Sequence, residues 1–234
     1  MKSVPKIVII GSGNVATHLG RELKTYFSKD INSIDRTSDI FIIAVKDDAI
    51  DKVSKKLKLK NKILVHTSGS VDMNVLKKYS QNYGVLYPLQ TISKEKKIDF
   101  KKVPICIEAN NRQTEKKLFI IGKSISENVC YVNSEKRKIL HLASVFACNF
   151  TNHMYFIAEQ ILKKEKISFD LLNPLIEETA KKILNSNMSP ADAQTGPAKR
   201  NDKKILREHL HILSKNKYYR DIYKMISNNI IRNS

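Results

Sequence analysis

Short apolar runs alternate with helical stripes through the first half of the chain, and helical stripes alone fill the second half. Ile7-Val8-Ile9-Ile10 is β-branched and wholly apolar, as in a strand buried on both faces of a parallel sheet. Gly11-Ser12-Gly13 ends it, and Val15, Leu19, Leu23 and Phe27 then fall on one stripe of a predicted helix. The segment from Ile40 to Val45 is a second buried strand, and Asp47 and Asp48 open a helix through Ile50, Val53 and Leu57. Further strands are predicted at Ile63–His66, Val85–Tyr87, Pro104–Ala109 and Val129–Val132, with helices over Met73–Tyr79 and Gln113–Ile125. This alternation predicts an α/β domain with a mostly parallel sheet. From Asn133 onward the pattern is helical only: Ser134–Lys164 as one run, then Ser168–Asn185, Asp202–Leu213 and Tyr218–Ile231. The expected division is a sheet domain over 1–133 and an all-helical domain over 134–234.

Composition adds one unusual number, a net charge of +19. Such a balance raises nucleic acid as a partner. Of the 42 cations, however, only 8 are Arg, the residue favoured for bidentate phosphate and base contacts. With 29 Ile and 19 Asn against 11 Ala, the bias follows A- and T-rich codons, and Lys has been written wherever a solvated cation is tolerated. The densest basic run, Lys55 to Lys62, sits at a predicted helix C-terminus, where cations are favoured in any case. Cys106, Cys130 and Cys148 are odd in number and form no C-x-x-C pair, so neither a disulfide framework nor a metal site is expected. A reducing cytoplasm fits that usage. The apolar start is too short for a signal peptide, and no segment approaches a membrane span.

The most specific chemistry lies at the first turn. Gly11-Ser12-Gly13-Asn14-Val15-Ala16 fits G-x-G-x-x-A between a buried strand and a helix. Gly11 permits the turn, Gly13 lets backbone approach a pyrophosphate, and Ala16 lets helix and strand pack closely. A tight turn without a ligand is the alternative. Behind the loop, residues 29–36 are polar and contain no apolar run. A complete dinucleotide fold needs a second strand there, so one strand–helix unit is read as missing, and with it part of the adenosine wall.

Several longer motifs occur in order: His66-Thr67-Ser68-Gly69-Ser70, Tyr87-Pro88-Leu89-Gln90-Thr91, Phe146 to His153 and Thr195 to Asp202. With the glycine loop, they make the chain resemble bacterial Rossmann-like proteins carrying the C-terminal domain of unknown function 2520. The resemblance covers nearly the whole chain. It implies an NAD(P)-binding-like domain followed by a helical one, in the layout of pyrroline-5-carboxylate reductase and the 6-phosphogluconate dehydrogenase superfamily. It also implies a homodimer formed through the helical domain. Family members usually carry a full second strand followed by Ser-Arg, suited to a 2′-phosphate. This chain departs there, which leaves the choice between NADP and NAD open.

The candidate cofactor residues are Gly11, Ser12, Gly13, Asn14 and Val15 on the first loop. Ala44 and Val45 end the second buried strand, and His66, Thr67, Ser68, Gly69, Pro88 and Gln90 follow the next two. All lie at strand C-terminal ends, where open α/β sheets bind ligands. The candidate catalytic residues are Asn149, Asn152, His153 and Arg200. The first three share a predicted helix face with Phe156 at i, i+3, i+4 and i+7. His153 is a possible proton donor, and Arg200 can bind a carboxylate or pair with Asp202. Three readings follow: an NAD(P)-dependent oxidoreductase for a small carbonyl or imine, a non-catalytic binding or regulatory protein on an eroded scaffold, and, weakest, a nucleic-acid binder.

Overall fold

The computed structural model describes residues 5–233 apart from 58, 60, 94, 96, 186 and 187. The basic run therefore lies partly outside the described residues. Two compact units emerge, Met1–Phe150 and Thr151–Ser234.

The first unit is built on one seven-stranded sheet in the order β2-β1-β3-β4-β5-β6-β7. Its strands are β1 (Ile7–Ile10), β2 (Phe27–Ser28), β3 (Ile40–Ile43), β4 (Ile63–His66), β5 (Asn82–Pro88), β6 (Ile105–Ala109) and β7 (Val129–Tyr131). Every neighbouring pair is parallel except β5 with β6. The helices of this unit are α1 (Asn14–Glu22), α2 (Ile50–Leu57), α3 (Arg112–Ile125) and α4 (Ser134–Ser144). The fully apolar runs explain the central strands. Ile9, Ile40, Ile42 and Val65 feed one core, while Val8, Ile10, Phe41, Ile43 and Leu64 feed the other. Both sheet faces are thereby covered, as parallel sheets require. This is the Rossmann-like α/β arrangement expected.

The region read as a missing strand–helix unit is reduced rather than empty. Helix α1 stops at Glu22, not Phe27. Leu23 caps it, Lys24 takes φ 48°, and the Lys24 and Thr25 amides bond back to Arg21 and Gly20. Phe27 then pairs with Ile9 as a two-residue edge strand. It fits because Gly20 has no side chain; a Cβ there would stand 2.4 Å from the Phe27 ring. The helix that should follow is a single 3-10 turn, Ile31–Ser33, capped by Asp30. Met73–Tyr79 is likewise shorter than predicted, a 3-10 turn over Met73–Leu76.

The run read as one helix from Ser134 to Lys164 changes pitch. Between α4 and α5 (Thr151–Lys164) lies a π-helical segment, Val145–Phe150. Helix α4 is tied to the sheet, which is why the compact unit extends past the composition change at Asn133. Ser134 and Arg137 bond to Glu108 on β6, and Arg137 donates to the Val71 carbonyl at 2.6 Å.

The second unit contains α5, α6 (Asn173–Asn185), α7 (Lys203–Ile212) and α8 (Lys217–Arg232). Little of it is buried: Ile157, Ala198 and Ser227 are the only described residues in that class. Leu171, Leu184 and Met225 are each more than 70% exposed. No described helix is long and apolar enough to cross a membrane.

Candidate functional site

The strand order reverses beside β1, with β2 on one side and β3 on the other. At that switch point the loops after β1 and β3 leave neighbouring strand ends, and ligands of open α/β sheets bind in the crevice there. A cleft of about 1020 Å³ opens there, and all of its lining comes from the first unit.

Its first wall is the glycine loop. Gly11 takes φ 141°, and a Cβ on it would lie 2.1 Å from the Ala44 carbonyl oxygen, so only glycine lets β1 turn against β3. Gly13 differs. It has ordinary extended backbone, φ −78°, and nothing lies within 4 Å of where its Cβ would be. Gly13 is the N-cap of α1, no side chain caps the helix, and no acidic residue stands in its first turn. Unsatisfied amides and the positive end of the helix dipole therefore face the open side of the loop, the arrangement that receives an anion. The Asn14 side-chain Nδ2 donates to the Ile92 carbonyl at 2.6 Å and His18 bonds the Ser93 carbonyl, drawing the 89–93 loop against α1.

The second wall comes from the ends of β3, β4 and β5. Ala44, Val45, Thr67, Ser68, Gly69, Pro88 and Gln90 all line the cleft. Ser70 donates to Asp47, joining the loops after β4 and β3. His66 is the exception. It is fully buried and does not line the cleft. Its Nδ1 instead accepts from the Ser68 amide at 3.2 Å and holds the serine loop from behind. Burial, aided by the Arg137 charge, pushes His66 down to about 4, so it is neutral at pH 7.

The third wall is helical. His141, Ser144, Val145 and Cys148 line the cleft at i, i+3, i+4 and i+7. Ala147 and Asn149, within the π-helical segment, line it too. π-helical segments recur at functional sites. Asn152, His153 and Arg200 belong to the second unit, and all three are exposed. His153 stacks on Phe156 at 5.6 Å between ring centroids.

Sequence reasoning passed over Lys29, Lys46, Asp47 and His141, all of which line the cleft. Lys29 follows β2 directly, a position invisible while β2 was read as helix. Beside it the Ser28 hydroxyl accepts from the Asp30 amide at 3.0 Å and lies 3.2 Å from the Ser33 hydroxyl. Asp30, two residues beyond β2, accepts from the Asn32 amide through Oδ1 and is not among the described residues that line the cleft.

Comparison with known proteins agrees with this geometry. A crystal structure from Bacteroides fragilis, provisionally named an NADP oxidoreductase, superposes with a TM-score of 0.90 at 35% identity, over 97% of this chain and 98% of that one. An imine reductase from Myxococcus stipitatus in complex with NADP+ gives 0.60 at 14% identity, over 97% and 92%. A pyrroline carboxylate reductase from Plasmodium falciparum with NADP bound gives 0.58 at 16%, over 98% of each chain. The last two share the fold alone. No curated protein matches. The family described as a domain of unknown function, DUF2520, matches residues 103–230. With more than half of its length matched, and a solved relative above 30% identity across nearly all of it, the chain belongs to the DUF2520 family.

Proposed function

We propose that this protein is an NADP-dependent oxidoreductase acting on a small carbonyl or imine compound. The observation that carries the reading is the open, uncapped N-terminus of α1 behind Gly13, facing a cleft at the sheet's switch point. The residues present fit a dinucleotide. The 11–15 loop would hold the pyrophosphate, and Thr67, Ser68, Pro88 and Gln90 would flank the nicotinamide. When bound in its reduced form, that cofactor supplies a hydride. The NADP oxidoreductase name of the B. fragilis relative and the NADP held by the two more distant structures support the same class.

The choice of NADP over NAD rests on Lys29. It directly follows β2 and lines the cleft, with the Ser28 and Ser33 hydroxyls nearby, while Asp30 is not among the described lining residues. A cation there favours a 2′-phosphate, where an acidic residue would favour the free 2′-hydroxyl. Lys29→Ala is expected to weaken NADPH binding by about 10-fold and to leave NADH within about twofold, since one charge-assisted contact is worth roughly 1.5 kcal/mol. Fluorescence titration of both cofactors checks this; equal losses for the two would remove the assignment.

Asn149, which lines the cleft, and Asn152, His153 and Arg200 of the helical unit remain residues proposed to hold substrate. The helical unit itself is proposed to be completed by a second copy of the chain. Its apolar side chains, Leu171, Leu175, Leu184 and Met225 among them, stay exposed, and a patch of that kind marks an interface. Light scattering is expected to give twice the 26.8 kDa chain mass; a monomer at micromolar concentration would contradict it. The reduced β2 and lost helix favour one other reading, a binding protein that holds nucleotide without turnover.

A further inference from the structure

We propose that Tyr87 and His141 form the proton-donating couple of the cleft, an assignment that rests on the oxidoreductase reading above. Tyr87 is the penultimate residue of β5, His141 lies on α4, and both line the cleft. The Tyr87 hydroxyl is 3.3 Å from His141 Nδ1, and the rings meet edge to face at 6.3 Å. Gly69 makes this approach possible. A Cβ on it would stand 2.7 Å from Tyr87 Cζ and 2.9 Å from His141 Nδ1. The serine loop that borders the cleft is thus shaped around the pair, and the pair sits half-buried at its edge.

The surroundings keep Tyr87 a donor. Burial is the main influence raising its phenol above the ordinary tyrosine value, and Cys106 on β6 and Asp47 ahead of α2 add to it. The Arg137 guanidinium opposes them without reversing the direction. The phenol therefore stays protonated at neutral pH. With His141 protonated, its Nδ1–H donates to the Tyr87 oxygen and leaves the phenol hydrogen free for the cleft. As the carbon of a C=N or C=O bond gains the hydride, the electron pair of that bond passes to nitrogen or oxygen. That atom takes the Tyr87 proton, the phenolate takes the His141 Nδ1 proton, and neutral His141 regains one from water. Substrate gains one hydride and one proton, and charge balances.

The test uses Tyr87→Phe and His141→Gln in the full chain, with NADPH and a panel of cyclic imines and 2-oxo acids as probes. Both variants are expected to lower kcat by about 100-fold or more, the range of general acid catalysis. The NADPH dissociation constant should stay within about threefold of wild type, because removing a proton donor takes away a contact made in the transition state. In the protein without cofactor, Tyr87→Phe should move the His141 Nδ1 resonance in nitrogen NMR, a readout independent of turnover. Variants that keep kcat within about threefold, an unmoved resonance, or a wild type that binds NADPH yet reduces none of the panel would overturn the couple while leaving cofactor binding intact. A wild type that binds no NADPH would overturn the oxidoreductase reading, and the couple with it.

Discussion

Glu108→Ala should destabilise the protein by about 3–5 kcal/mol, the cost of stranding one half of a buried ion pair. Arg137 has no exposed surface, and Glu108 is its counter-charge. The carboxylate also accepts from the Ser134 amide at 2.8 Å and the Ser134 hydroxyl at 2.7 Å, so one side chain anchors the first turn of α4. Removing it leaves a guanidinium in the interior with the Val71 carbonyl and the Ser134 hydroxyl as its partners. The double substitution Glu108→Leu with Arg137→Met should cost less than the single one, because no charge is then left behind. Urea unfolding at pH 7 reads both. A Glu108→Ala protein within about 1 kcal/mol of wild type would show that the pair does not hold the helix. The consequence for function is positional. His141 lies one turn beyond Arg137 on the same helix, so this anchor sets the distance between His141 and Tyr87.

Gly13→Val should separate folding from binding. Valine at Gly11 would collide with the Ala44 carbonyl and take a backbone angle it rarely adopts, so both properties would be lost together. At Gly13 the backbone is unstrained and the Cβ points into empty space. Stability should therefore remain within about 1 kcal/mol of wild type. The new side chain would fill the space through which a pyrophosphate approaches the α1 amides, and NADPH affinity should fall by about 30-fold or more, equivalent to roughly 2 kcal/mol. A glycine that costs nothing to fill in the folded protein but much in the complex is retained for its ligand.

Particular residues show how far the sequence could be read. The four apolar runs at β1, β3, β4 and β5 were plain because both faces of each strand are buried, and the glycine loop was plain because turn and phosphate site need the same residues. Strand β2 was hidden because an edge strand of two residues needs no apolar run. It needs Phe27 seated on α1, and the sign of that was Gly20, a helical glycine with no other purpose. Lys29 was lost with it. His66 ends a strand at the cleft edge of the sheet, yet strand residues alternate, and its buried ring accepts from the Ser68 amide instead. On the helical wall, spacing alone could not choose a face. The stripe through Asn149, Asn152 and His153 assumes a uniform α-helix, whereas a π-helical segment spans Val145–Phe150, and the residues of this wall that line the cleft begin at His141. Two of the lysines behind the +19 charge, Lys29 and Lys46, line the cleft, where they suit a phosphate-bearing small molecule.

Calorimetric titration of NADPH into the wild-type protein and into Gly13→Val tests the central claim most directly. The account predicts saturable binding to wild type, with the affinity lost by about 30-fold or more in the variant while both proteins unfold at the same urea concentration. Absence of saturable binding to wild type up to millimolar NADPH, or equal affinity for the two proteins, would contradict it.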